Sequence, residues 1–409
     1  MSLSLAVPLL LPNGVSLPNR LAKSALSEAM GTMDNRVTPA LVRLYQRWSA
    51  GGTGLLMTGN VMVDRRFLGE PGNVVIEDER DLPLLQEWAE AGRPFTTAIW
   101  VQLNHPGKQS PKGLNRENIS ASAIPFNAGM QAFFATPREM TEAEILDTIS
   151  RFANAARIAK KAGFAGVQIH GAHGYLVSQF LSPRHNVRED AWGGTPEKRR
   201  RFALDLYAAI RAAVGAEFPI GIKLNSADFQ RGGFTEDESL ATIKALADAG
   251  IDLIEISGGT YEAPAMTGAK SSTIEREAYF LSFAEMVRQH ISTPLMVTGG
   301  FRSLAAMQSA LDSGALDLIG LGRPLAIEPD AANRLLSGKE TLQRVKPITT
   351  GIGKVDRMAI MEVSWYTRQL HRMGKGKDPK PNESALWAFA ATVVANVHGT
   401  AKTRRLRAS

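Results

Sequence analysis

Eight short apolar runs rich in β-formers, separated by longer segments of helical period, predict an α/β chain folded as a (β/α)8 TIM barrel. Glycines and polar residues gather just after the carboxyl ends of several runs, which is where such barrels carry their sites. Length agrees: the chain has 409 residues, which one barrel with an extension absorbs. A doubly wound open sheet is the alternative, and it leaves the even spread of strands and glycine turns unexplained.

The predicted strands are Leu21–Leu26, Gly54–Gly59, Thr96–Leu103, Gly166–His170, Ile220–Leu224, Leu253–Ser257, Leu295–Thr298 and Leu316–Leu321. The clearest helices between them are Thr141–Ala162, Pro196–Val214 and Thr235–Ala249, the first opened by a Thr141-x-x-Glu144 capping box. Two longer segments interrupt the alternation. Residues from His105 to Arg138, rich in Pro, Gly, Asn and Ser, read as a long loop after the third strand, and Pro183 to Thr195 reads as another after the fourth.

The barrel is expected over residues 1–345, followed by a helical C-terminal extension with a basic end over 346–409. Met358 to His371, with Ile360, Met361, Val363, Trp365, Tyr366 and Leu370, has the pattern of an amphipathic helix. Gly374 to Pro379 reads as a linker, and Ala385–Val397 as an apolar helix too short to span a bilayer. Packing on the barrel or a neighbouring subunit is the expected use, with a membrane-surface helix as the rival.

Cysteine is absent, which excludes disulfides, cysteine-ligated iron–sulfur clusters and thiol catalysis. The N-terminus has no basic residue before its short apolar run, so no secretory signal is read and the cytoplasm is expected. The net charge of +7 lies in the tail: residues 341–409 hold 13 Lys+Arg and 4 Asp+Glu, leaving 34 and 36 in the first 340. A nearly neutral body argues against nucleic acid as a partner.

Chemistry concentrates where the fourth strand ends, at His170-Gly171-Ala172-His173-Gly174-Tyr175. Two imidazoles and a phenol at a strand's carboxyl end offer hydrogen-bond donors and a proton. A catalytic zinc ion would want three protein ligands, and this stretch supplies two. Further on, Gly299-Gly300 and Gly322-Arg323 end strands seven and eight, the loops that often hold phosphate in such barrels.

Together these residues resemble the old yellow enzyme family of FMN-dependent NAD(P)H oxidoreductases. The resemblance runs from about Leu11 to Leu336 and rests on Leu17-Pro18-Asn19-Arg20, Gln102 to Lys108, His170 to Leu176, Gln179 to Pro183, Asn186 to Gly194 and the two glycine turns. It implies an ene reductase with non-covalent FMN, NADPH or NADH as reductant, and a small-molecule activated alkene as substrate. His170 and His173 would hold the substrate carbonyl and Tyr175 would donate the proton. Gln102 would meet the flavin's pyrimidine side, Ala25, Ser27 and Gly59 its ring system, and Gly300, Gly322 and Arg323 its phosphate. Lys223 stands where the family usually has arginine, Ser27 where relatives have threonine or cysteine, and Asn104 where some have tryptophan.

Rival functions are a flavin-dependent NAD(P)H oxidase or quinone reductase, a metal-dependent barrel hydrolase using the two histidines, and a non-catalytic binding protein. No metal and no membrane partner is expected, and the assembly expected is a homo-oligomer.

Overall fold

The computed structural model describes residues 4–263, 277–344, 348–351 and 360–394. Its centre is a closed parallel barrel of eight strands: β1 Leu21–Lys23, β2 Leu55–Met62, β3 Ala98–Asn104, β4 Gly166–Gly171, β5 Ile220–Asn225, β6 Leu253–Ser257, β7 Leu295–Thr298 and β8 Leu318–Leu321. Each pairs with the next, and Ile319–Leu321 pairs with Leu21–Lys23 to close the ring. Closure rules out the open sheet. The first strand is shorter than expected, because at Ser24 the chain leaves the ladder and turns over the barrel mouth.

The helices are α1 Pro39–Ala50, α2 Leu82–Glu90, α3 Glu142–Ala162, α4 Leu176–Leu181, α5 Pro196–Val214, α6 Glu236–Asp248, α7 Leu281–Arg288, α8 Leu304–Asp312, α9 Arg323–Ile327, α10 Ala331–Leu336 and α11 Ile360–Gly374. Their starts follow from side-chain capping. Thr141 and Thr235 form capping boxes with Glu144 and Glu238, and Thr38, Thr195 and Ser303 each accept an amide of the first turn.

Residues facing into the barrel alternate with residues facing the helices, as a pleated strand requires. Toward the amino end the interior is apolar: Ala22, Leu55, Met57, Trp100, Leu253, Met296 and Leu318 pack together. Trp100 fills that level because Gly166 and Gly221 carry no side chain, and a Cβ at Gly166 would lie 2.5 Å from the indole. A short antiparallel hairpin, Leu9–Leu10 with Ser16–Leu17, was not foreseen from sequence. It presses Leu9, Leu11 and Leu17 onto this layer and plugs the amino end, so access is left to the carboxyl end.

The long loop after β3 carries two short paired segments, Ile119–Ser120 with Arg138–Glu139. The extension folds back on the barrel. α11 lies along α1, where Arg43 Nη1 donates to Gly374 O at 2.8 Å and Arg47 Nη1 to Lys377 O at 3.0 Å. Residues 385–394 are helical, and Ala388 joins Ile327 and Trp365 in a small apolar cluster. The expected boundary at 345/346, the start of the first tail helix at Met358, the side chains of Ile360 and Met361, and the last residues of the second helix up to Val397 lie outside the described residues.

Candidate active site

Above the apolar layer the interior turns polar. Gln102, Gln168, Lys223 and Glu255 each sit between apolar neighbours on adjacent strands β3 to β6; Gln102 pairs with Gln168 and Lys223 with Glu255, while across β4 and β5 Lys223 pairs with His170, two positions beyond Gln168, so all four keep the inward parity. Gln102 Nε2 donates to Gln168 Oε1 at 2.8 Å and Gln168 Nε2 to Glu255 Oε2 at 2.7 Å. Glu255 Oε1 takes the Lys223 ammonium at 3.0 Å and the Thr298 hydroxyl at 2.7 Å, and Thr298 meets Ser24 at 2.7 Å. Glu255 is fully buried and Lys223 nearly so, and a charge at that depth persists only when paired and hydrogen-bonded. Sequence reasoning named Gln102 and Lys223 but missed Gln168, Glu255, Thr298 and Ser24, although a lone polar residue centred in an apolar strand was the available signal.

One level higher stand the two histidines and the tyrosine. His170 is the last residue but one of β4, and its Nδ1 lies 3.0 Å from Asn60 Oδ1, while its Nε2 lies 3.3 Å from His173 Nδ1. His173 holds the left-handed conformation, φ +60°, which disfavours a side chain. It is pinned there from two sides: its amide donates to Asn225 Oδ1 at 3.1 Å and its Nε2 meets Ser257 Oγ at 2.8 Å. Tyr175 begins α4, and its phenol contacts Asn60 Nδ2 at 3.2 Å and Tyr261 OH at 3.1 Å. Asn60, which touches His170, Tyr175 and Asn104, and Tyr261 are further members that the sequence reading did not name.

Electrostatics fixes the protonation of this group. Burial, with the positive charge of Lys223, holds both imidazoles well below their ordinary pKa, so they are neutral at pH 7. Burial and the neighbouring Tyr261 and Glu70 push the Tyr175 phenol well above its ordinary value, so its proton is retained.

Along the rim, Ala25, Leu26 and Ser27 follow β1, Gly299 and Gly300 follow β7, and Gly322 and Arg323 follow β8; all are partly accessible. A Cβ on Gly322 would lie 3.4 Å from Leu26 Cδ2, so the turns after β1 and β8 touch. Gly299 and Gly300 have φ of +134° and +90°, and a Cβ at Gly300 would crowd Ala278 N at 2.9 Å. Ser27 Oγ donates to Glu70 Oε1. The Gly59 amide donates to Glu28 Oε1 at 2.9 Å, so that N–H is engaged within the protein.

This donor set suits FMN. Gln102 and Lys223 offer an amide and a cation inside the mouth, side-chain-free turns and Arg323 stand at the β7–β8 edge, and one of the two polar atoms of the Asn104 amide is buried without a partner beside Asn60. No three His, Cys, Asp or Glu side chains cluster as metal ligands among the described residues.

Three loops over the mouth are tied by a second buried cluster. Lys108 Nζ lies 3.1 Å from His185 Nδ1 and 4.0 Å from Glu262 Oε2, and 4.3 Å above the Phe126 ring. Burial takes Lys108 down to about 8, and burial with the charges of Lys108 and Arg184 takes His185 to about 3. The folded chain thus refuses a proton that unfolded His185 accepts, so its contribution to stability is present above pH ~6.5 and is lost as pH falls toward 3. Urea unfolding should show stability dropping by up to ~1.4 kcal/mol per pH unit from this residue. His185→Gln should drop less steeply between pH 6.5 and 5, the buried carboxyls being common to both chains, and identical slopes would remove His185 from this account.

A parallel barrel plugged at one end, with a polar interior, a His–His–Tyr group at the open end and glycine turns after the last two strands, defines a barrel oxidoreductase built around a flavin. The profile of the NADH:flavin oxidoreductase / NADH oxidase family matches residues 4–341, and the chain belongs to that family, the old yellow enzyme group. A protein of Talaromyces variabilis named NADH-dependent flavin oxidoreductase iccE is 40% identical over 351 residues, 80% of this chain and 85% of that one. Among solved structures, the Zymomonas mobilis old yellow enzyme homologue superposes with a TM-score of 0.70 at 23% identity, over 84% of this chain and 95% of that one. A 2-naphthoyl-CoA reductase superposes at 0.78 with 24% identity, over 90% of this chain but 58% of its own longer one. At such identities the structural likenesses speak for the fold. The protein is an oxidoreductase that uses FMN, with NAD(P)H as reductant. No helix among the described residues is long and apolar enough to cross a membrane.

Proposed function

We propose that this enzyme reduces activated C=C bonds of α,β-unsaturated carbonyl compounds. The observation that carries this reading is the grouping at the end of β4, where His170 and Tyr175 both meet Asn60 and His173 meets His170. FMN, when bound, takes hydride from NAD(P)H and passes it to the alkene's β-carbon.

The residues then have separate tasks. In the arrangement described, His170 Nδ1 donates to Asn60 Oδ1, which leaves its Nε2 without a proton. Turning the amides of Asn60 and Asn104 by 180° keeps the same contacts with donors and acceptors exchanged, and puts the proton on Nε2. His173, accepting from Ser257 at Nε2, then carries its proton on Nδ1. Two N–H groups face one point, and a carbonyl oxygen wedged between them replaces the 3.3 Å contact of the two rings. Both donors stabilise the negative charge that grows on that oxygen, and Tyr175 supplies a proton to the α-carbon. Lys223 places a cation beside the flavin where the family usually has a guanidinium, without its planar fork. Gln102, Ala25, Ser27, Gly300, Gly322 and Arg323 hold the cofactor in this reading, with Gly59 behind them, its amide on the Glu28 carboxylate.

The division into a barrel, residues 1–345, and an extension, 346–409, belongs to the same proposal, as do a soluble, cytoplasmic homo-oligomer and the absence of nucleic-acid and membrane partners.

Acid precipitation should release FMN into solution, since no covalent link is proposed; colour left in the pellet, or FAD in the supernatant, counts against it. His170→Ala should lower alkene turnover about 10²-fold by removing one oxyanion donor. It should also weaken binding of phenolates, which resemble the enolate. Chelators should have no effect, and inhibition reversed by zinc would favour the hydrolase. Turnover of NAD(P)H by oxygen or quinones alone, with no alkene in a panel reduced, would favour the oxidase or quinone reductase.

A further inference from the structure

The turn after β1 is held from two opposite sides. From the barrel side, the buried Glu28 carboxylate accepts the Gly59 amide and the Tyr45 hydroxyl, and lies 3.6 Å from Lys23 Nζ. From the other side, two side chains of α11, more than 300 residues along the chain, bond the backbone of the same turn. Thr367 Oγ1 donates to Ser27 O at 3.0 Å, and His371 Nε2 lies 2.8 Å from Glu28 O. A carbonyl only accepts, so His371 carries its proton on Nε2. Burial lowers the pKa of this imidazole, which keeps it the neutral donor.

The fit is close along the whole contact. A Cβ on Gly374 would stand 2.3 Å from Met30 Cε and 2.8 Å from Ala40 O, so α11 ends in glycine where it meets the turn and α1. On its far side α11 is braced by the chain that follows it: Trp365 Nε1 donates to Glu383 O at 3.0 Å, and Gln369 Nε2 to Glu383 Oε2 at 2.8 Å.

We propose that the C-terminal extension is a strut for the flavin-facing turn, with Thr367 and His371 as positioning residues that set where Ala25 and Ser27 meet the cofactor. The inference rests on the reading that these two residues flank the flavin. Without the two donors the backbone at Ser27 and Glu28 loses its outer anchor, while the Glu28 carboxylate keeps the inner one. The turn stays folded but is less well placed, so the cost falls on cofactor binding and on the electronic environment of the flavin.

The test uses full-length protein. FMN affinity is measured by fluorescence quenching on re-added cofactor, the midpoint potential by equilibration with a reference dye, and melting temperature alongside. Thr367→Val with His371→Leu should raise the FMN dissociation constant on the order of 10-fold, as expected for two lost neutral hydrogen bonds, and should shift the potential. Thr367→Ser with His371→Gln, which restores a donor at each place, should behave as the parent protein. Arg368→Met, on the same helix but paired with Glu383, should leave both flavin readouts unmoved. The strut is overturned if the paired variant keeps the parental affinity and potential, even with a lower melting temperature, or if Arg368→Met reproduces its effect. Should the paired variant fail to fold, Thr367→Val alone decides, a threefold weaker affinity being expected on the scale of one hydrogen bond and an unchanged one overturning it. Ser27→Ala separates the two layers: no change in FMN affinity removes the site reading itself, whereas a change there with a silent paired variant removes only the strut.

Discussion

Tyr175→Phe is expected to slow alkene reduction by roughly 10²-fold or more, the scale of general acid catalysis, while leaving reduction of the flavin by NAD(P)H nearly intact. The asymmetry follows from where the proton is needed. The phenol is buried, contacts Asn60 and Tyr261, and is held protonated by an environment that raises its pKa well above the ordinary value. Transfer of hydride from the nicotinamide calls on no proton from it; formation of the new C–H bond at the α-carbon does. Phenylalanine keeps the ring that packs against His170 at 4.6 Å between centroids, so the histidines should stay in place. Stopped-flow measurement of the two half-reactions separates the effects. Equal losses in both would show that Tyr175 serves to shape the pocket instead.

Much of the barrel was legible because each strand announces itself as a short apolar run, and β6 and β7 fell on the expected residues. Helix ends were legible where a side chain caps them, as at Thr141. The His170, His173 and Tyr175 group could be found because it is contiguous in sequence. The chain of Gln102, Gln168, Glu255 and Lys223 was only half seen, because its members lie on four strands and become neighbours partly through strand pairing and partly across the barrel interior. Val167-Gln168-Ile169, Ile222-Lys223-Leu224 and Ile254-Glu255-Ile256 nevertheless share one pattern: a polar residue at an inward position flanked by outward apolar ones. Lys108, His185 and Glu262 had no such pattern, since three separate loops bring them together. The contact of α11 with the turn after β1 was equally hidden, because amphipathicity says that a helix packs, not where.

Glu255→Leu should lower stability by about 3–5 kcal/mol, the cost of stripping one partner from a buried ion pair. Its two carboxylate oxygens take three donors, from Lys223, Thr298 and Gln168, and neither Glu255 nor Lys223 reaches water to an extent that could compensate. Leucine would leave the lysine ammonium enclosed beside an apolar group and would remove the acceptor that orients Gln168, on which Gln102 in turn depends. The paired change Glu255→Leu with Lys223→Met removes both charges from the interior. It should recover most of the lost stability, since a buried pair is often worth little against apolar residues of similar volume. On the proposal that Lys223 faces the flavin, it should not recover the flavin's properties, because the cation is gone, and the midpoint potential should fall. Urea unfolding of both single variants and the paired one gives the coupling between the two residues directly. A cost below about 1 kcal/mol for Glu255→Leu alone, or an additive cycle, would mean that this carboxylate does not hold Lys223 in place.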